Sequence, residues 1–316
     1  MALLVLLVYL SILSAESLFL IGDTMTFINK GRNPNGTFQV EFQYEATYFS
    51  SGNLPTFEYC YNEVCYQMGT EFLEDVSGSD SQFGKLYLLG GSTVINALSD
   101  KPFDVSFSGC CWVHDEPDMK LQFMTHVDLG VRSDTGLPNR LPITGSNLMF
   151  SILGIYVMFS PDFFSLPLNC PTTIKLPVFD PDGDRIRCRY GQSINNECYT
   201  CSSDFTVNET TCELSVNGSL KILNVLELVI EDFPQQSITL TYSDGSSMSK
   251  GNSPTDEPLS KIPLQASYYM YAFSSCILGD IIPLFLDSTP VNQERKTAFV
   301  GSQFEFNITA YASQAK

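Results

Sequence analysis

Histidine is nearly missing from this 316-residue chain: His114 and His126 are the two present. Imidazole is the commonest general acid or base near neutral pH, so His-dependent catalysis has little to draw on. Absent too are a Gly-x-Ser-x-Gly elbow, a His-Glu-x-x-His metal motif and a phosphate loop, and Gly90-Gly91-Ser92 reads as a turn. No catalytic residue is therefore assigned. Basic residues are also scarce: 17 Lys and Arg face 35 Asp and Glu, a formal net charge of −18. Nucleic acid and anionic membrane surfaces reward Lys and Arg and repel such a chain, which disfavours both as partners. No apolar run reaches the ~20 residues of a membrane helix. The run Leu148 to Phe159 is bounded by Asn147 and Pro161 and reads as a buried strand, a short core helix, an interfacial patch or an insertion.

Apolar and aromatic material, by contrast, is ample. Hydrophobic residues make up 44% of the chain, with 23 Phe and 15 Tyr, enough for a packed core and about two domains. The run Met1 to Leu13, followed by Ser14, Ala15, Glu16 and Ser17, reads as a signal peptide over 1–17 cleaved before Leu18. No Lys or Arg precedes it, and a short buried strand is the other reading. Ten cysteines then take disulfides as their default fate in an oxidising compartment. Cys60, Cys65, Cys110 and Cys111 lie in the first half; Cys170, Cys188, Cys198, Cys201, Cys212 and Cys276 lie in the second. Sequons at Asn35, Asn208, Asn217 and Asn307 agree with secretion. The expected location is outside the cell or on the extracellular face of the plasma membrane.

Strand signals dominate the pattern. Phe38, Val40, Phe42, Tyr44, Ala46 and Tyr48 alternate with polar residues, a period of two that predicts a half-buried strand. The alternation recurs at Phe103–Phe107, Leu121–Val127, Ile186–Tyr190, Leu226–Ile230 and Phe304–Ile308. Short strands separated by Gly, Pro, Asn, Asp and Ser predict an all-β chain of two antiparallel, disulfide-stapled sandwich-like domains. The expected division is 18–140, a linker with the apolar insert over 141–168, and a second sandwich over 169–316. The chain stops just after a strand pattern, which favours a longer parent protein; membrane attachment would use a region outside this chain.

Asp180-Pro-Asp-Gly-Asp184 is turn chemistry, and a β-hairpin explains it without a ligand. Asp180, Asp182 and Asp184 at alternate positions are, as the alternative, a candidate calcium chelate; no other cofactor is expected. An EF-hand is excluded, because Arg185 and Gly191 stand where its glycine and glutamate belong. Arg185, Arg187 and Arg189 share one strand face, either solvated and balanced by nearby Asp or able to grip an anionic glycan. His126 with Asp128, and His114 with Asp115 and Glu116, form a conceivable metal set or ordinary surface residues. Cys110 and Cys111 are expected to pair separately with Cys60 and Cys65, a vicinal bridge being the alternative. Cys170 is expected to join Cys276, with the middle four paired among themselves.

Val178-Phe-Asp-Pro-Asp-Gly-Asp184 and Leu226-Glu-Leu-Val-Ile-Glu-Asp232 resemble the cadherin-like, dystroglycan-type immunoglobulin-fold domain over roughly Pro167 to Cys276. The six cysteines of the second half are a departure from it. With Phe107-Ser-Gly-Cys-Cys-Trp-Val113 and Val127 to Gly136, the whole chain is similar to a group of extracellular proteins of fishes and invertebrates. The resemblance implies cell-surface or matrix context without an assigned activity. The expected role is non-catalytic adhesion, matrix or recognition with an extracellular protein or glycan partner. The alternative is a lectin-like or enzyme-like pocket near His114 and His126 or the arginine strand.

Overall fold

The computed structural model describes residues 19–49, 57–69, 71–75, 86–112, 119–144, 149–152, 155–158, 163–167, 171–176, 178–216, 223–271, 284–285, 289 and 297–311. The expected signal peptide, His114, Cys170, Asn217 and Cys276 lie outside the described residues. In the first half the strands are β1 Phe19–Arg32, β2 Phe38–Phe49, β3 Phe57–Tyr61, β4 Val64–Met68, β5 Glu71–Asp75, β6 Leu86–Ala97, β7 Phe103–Cys110, β8 Lys120–Val127 and β9 Val131–Arg132. Then follow β10 Ile143–Thr144, β11 Met149–Ile152, β12 Ile155–Met158, β13 Phe163–Pro167, β14 Thr172–Lys175, β15 Val178–Phe179 and β16 Arg185–Tyr190. The last are β17 Thr206–Asn208, β18 Glu213–Val216, β19 Leu223–Phe233, β20 Ile238–Thr241, β21 Ser247–Lys250, β22 Ser260–Tyr271, β23 Leu284–Phe285 and β24 Ala310–Tyr311.

The described chain is all β, and β13 with β22 is its one parallel pairing. Alternation sets which side chains turn inward. Along β2, Val40, Phe42, Tyr44 and Ala46 are buried while Gln43 is exposed. Their face meets the opposite layer: Phe42 packs on Phe107 of β7 with ring centroids 5.7 Å apart, and Tyr44 on Phe57 of β3 at 5.4 Å. A second core gathers Ile174, Leu176, Leu214, Leu228, Ile230, Ile262 and Leu264. The two sandwich-like units thus have separate cores, and Leu141 packs against both.

Strand β22 joins them. It pairs along its length with β19, and also with β8 through Lys261 and His126, with β1 over Gly22–Thr24, and with β13. Hydrogen bonding therefore runs through a twelve-stranded sheet that takes strands from both halves. The stretch 141–168 contributes β10, β13 and the β11–β12 hairpin, so the described part of the apolar run forms two short strands paired with each other.

Two sequence expectations fail here. Gly90-Gly91-Ser92 is no turn; it lies inside β6, opposite Tyr44 of β2. A Cβ on Gly91 would sit 2.5 Å from the Tyr44 ring and 2.6 Å from the Gly69 carbonyl, so glycine there makes room for an inward tyrosine. Phe304, Phe306 and Ile308 alternate but belong to no assigned strand, and all three are exposed. Alternation supplies sidedness; a ladder also needs a partner strand, and none pairs with this segment among the described residues.

Candidate functional site

The Asp180 turn is built by its own first carboxylate. Asp180 Oδ1 accepts the backbone N–H groups of Asp182 at 2.8 Å and Asp184 at 2.9 Å, while Gly183 takes φ +80°. The three aspartates then diverge. Asp182 accepts from Arg140 N at 2.9 Å and Arg140 Nε at 2.6 Å. Asp184 is held bidentately by Nη1 and Nη2 of Arg132, a guanidinium that also reaches Asp134 at 2.8 Å and Asn139 Oδ1 at 2.6 Å. Asp180 Oδ2 is buried and has no hydrogen-bond partner.

Asp232, at the end of β19, was not singled out in the sequence as a ligand, yet one oxygen each from Asp180, Asp184 and Asp232 lie within 4.8 Å of one another. Its Oδ1 accepts Ser260 N and Oγ, both at 2.7 Å, and its Oδ2 accepts Asn139 Nδ2 at 2.5 Å. Burial pushes the Asp232 carboxyl up to about 7 and that of Asp180 up to about 6, with neighbouring carboxylates adding to both. Arg132 shifts the other way from what burial alone would do: Asp184 and Asp134 outweigh desolvation and hold it more firmly charged.

The arginine strand is engaged from within. Arg189 donates to Glu197 at 2.7 and 2.8 Å and to Glu231 at 2.7 Å, and Arg187 donates to Glu231 at 2.6 Å. Arg185 and Arg187 also stand over the Phe233 ring, 5.6 and 5.1 Å from its centroid, and donate to the carbonyls of Asn252 and Pro254. The counter-ions are Glu231 and Glu197, where the sequence suggested nearby Asp or an external anion.

His126 and Asp128 do not converge. The His126 ring meets Asp104 at 2.7 Å through Nδ1, whereas Asp128 accepts from Gly130 N at 3.0 Å and Tyr242 OH at 3.2 Å beside the buried Lys250. Burial works against the Asp104 carboxylate, but His126 and Lys261 prevail and lower its pKa.

Cysteine pairing also differs from expectation. Cys60 bonds Cys65, and Cys110 bonds its neighbour Cys111, so no bridge ties β3 to β7. Backbone registry explains the first: Cys60 and Cys65 are direct cross-strand partners on β3 and β4, with Cα atoms 4.0 Å apart. In the second half Cys188 joins Cys212 and Cys198 joins Cys201, so the middle four do pair among themselves. The sequon residues Asn35, Asn208 and Asn307 are exposed.

The Cys60–Cys65 hairpin presents apolar side chains to solvent. Asn62 and Glu63 at its tip take positive φ of 49° and 63°, the conformation a tight two-residue hairpin turn requires. Beyond the tip, β4 ends the path of the twelve-stranded sheet and pairs only with β3 among the described residues. Val64 and Tyr66 on it are 48% and 49% exposed, and Tyr66 stacks on Tyr59 at 5.3 Å. An open depression beside it is lined by Glu58, Gln67, Cys110, Lys120 and the second-half Tyr199.

Neither a protein-family model nor a curated protein matches the chain. Similar solved structures include tandem titin Ig domains at 7% identity, covering 80% of this chain and 99% of that one with a TM-score of 0.20. The mouse nectin-like molecule 4 ectodomain is 8% identical, covering 82% and 68%, at 0.21. Mouse clustered PcdhgC3 EC1-3 is 10% identical, covering 78% and 79%, at 0.23. Scores of this size carry no weight beside the strand pairing itself.

Proposed function

We propose that this chain is an extracellular recognition or adhesion glycoprotein, secreted or displayed on the outer face of the plasma membrane, that binds a protein partner rather than catalysing a reaction. What supports this reading is the stapled β3–β4 hairpin. Edge strands offer unpaired main-chain groups, and partner proteins add a strand to such edges while side-chain pockets supply specificity. Exposed tyrosine is the side chain most at home in that setting, because it brings large rigid area at low entropic cost. The Cys60–Cys65 bond holds the hairpin's register, so less order is lost on binding. Disulfides and glycans at Asn35, Asn208, Asn217 and Asn307 would give the durability an extracellular module needs. A glycan-binding role for Arg185, Arg187 and Arg189 is the weaker reading, since Arg187 and Arg189 already meet Glu197 and Glu231 and Arg185 donates to the Asn252 carbonyl.

Beads coated with the oxidised protein, scored for aggregation with one another and for attachment to a panel of cells, test this. Attachment that falls at least tenfold with Val64→Asp plus Tyr66→Asp, at unchanged melting temperature, is the expected result. Attachment indifferent to the pair of substitutions contradicts the hairpin as the binding edge.

A further inference from the structure

The Asp180 turn and the end of β19 build a buried acid cluster with more negative charge than the chain neutralises. Around Arg132 and Arg140 stand five carboxylates: Asp134, Asp180, Asp182, Asp184 and Asp232. Asp134 is exposed, and the four enclosed carboxylates with two positive charges leave an excess of two negative charges when all four are ionised. Lys or Arg residues other than these two make no ion pair with the cluster among the described residues. Burying uncompensated carboxylates is costly, so the cluster calls for a further positive charge. Independently, Asp180 Oδ2 is 97% removed from solvent by the measure of its residue, whose relative exposure is 3%, and it accepts no hydrogen bond. A buried oxygen that accepts no hydrogen bond and stands beside two other carboxylates is suited to donate to a cation.

We infer that Asp180, Asp184 and Asp232 hold a hard divalent cation, calcium, with Arg132 and Arg140 carrying the rest of the counter-charge. The donor chemistry fits: carboxylate oxygens suit calcium, which accepts irregular geometry and completes six to eight ligands with carbonyls and water. Magnesium wants a near-octahedral set at short distance and suits such an arrangement less well. Asp182 is not in the set, because the carboxylates that bring an oxygen within 4.8 Å of one another are Asp180, Asp184 and Asp232. The strands flanking the acid turn form no hairpin, since β15 pairs with β10 and β16 with β19; two of the ligands come from this turn and the third from β19, so an ion there would pin the turn to the shared sheet. The site is independent of the hairpin reading, because ion binding is measured without any partner.

Equilibrium dialysis of the full oxidised chain against calcium in chelator-treated buffer at pH 7.5 provides the test, with Asp180→Asn and Asp182→Asn beside the wild type. Asp180→Asn keeps the Oδ1 acceptor of the turn and replaces the open oxygen, so it is expected to fold. One ion per chain should bind with a dissociation constant of about 10⁻⁴ to 10⁻³ M, the range of extracellular calcium modules. Asp180→Asn should weaken it at least tenfold, and Asp182→Asn should keep the stoichiometry. Thermal unfolding supplies a second readout: Asp180→Asn should be more stable than wild type in chelator and less stable in about 10 mM calcium, well above that binding range. No saturable uptake, or uptake that Asp180→Asn leaves unchanged, overturns the site. A variant more stable than wild type in both buffers does so as well, and assigns the cluster to a proton.

Discussion

Arg132 of β9 grips Asp184 of the acid turn with both terminal guanidinium nitrogens across 52 positions of sequence. The pair is buried on both sides and binds the first half of the chain to the second at a point the β22 ladder does not reach.

Arg132→Gln should therefore cost about 3 to 5 kcal/mol, because removing one partner of a buried ion pair strands the other charges. Arg132→Lys should recover only part of it, since an ammonium cannot make the two parallel bonds to Asp184 while also serving Asp134 and Asn139. Urea denaturation of the three proteins checks this. Midpoints within error of one another would contradict the clamp.

Acidity should raise stability over part of its range. Asp180 and Asp232 have folded pKa values above their unfolded ones, at about 6 and about 7. The folded state then holds more protons between pH ~4 and ~7, so their contribution is complete below the unfolded value and is lost as pH rises through the folded one. In chelator the melting temperature should fall from pH 5 to pH 7.5, and Asp232→Asn should flatten that slope. A rising or flat wild-type profile contradicts the assignment.

Peptide mapping of the oxidised protein should return Cys60 linked to Cys65, Cys188 to Cys212 and Cys198 to Cys201, with no fragment joining Cys60 or Cys65 to Cys110 or Cys111. Removing the Cys188–Cys212 bridge, whose partners are 24 residues apart, should cost about 3.5 kcal/mol by the loop-entropy estimate.

Gly91→Ala should destabilise by about 1 to 3 kcal/mol, because its Cβ meets the Tyr44 ring and a backbone carbonyl. Tyr44→Phe should cost about 1 kcal/mol through the lost hydrogen bond to the Gly69 carbonyl, 2.9 Å away. Combining the two should not add, since both act at one contact. Chemical denaturation of the single and double variants decides it.

Much of the fold was legible because side-chain sidedness is local. The alternation at Val40, Phe42 and Tyr44, at Val105 and Phe107, and at Leu228 and Ile230 placed those residues inward, where they are buried. Pairing is not local. Nothing near Arg132 announces Asp184, and Glu197 and Glu231 become counter-ions of Arg189 only once β16 lies on β19. Cys60 and Cys65 face each other because the hairpin registers them, a fact invisible to cysteine counting. The same limit explains Gly91, whose role belongs to Tyr44 on the neighbouring strand, and Asp232, which becomes a ligand candidate only beside the turn it approaches.

Quantitative attachment of the oxidised protein to cells or to itself, with Tyr66→Asp and Val64→Asp combined, bears most directly on recognition through the β4 edge. Loss of a central contact worth about 2 kcal/mol should weaken binding roughly thirtyfold while melting temperature and disulfide pattern stay unchanged. Undiminished attachment by that folded variant would contradict the account.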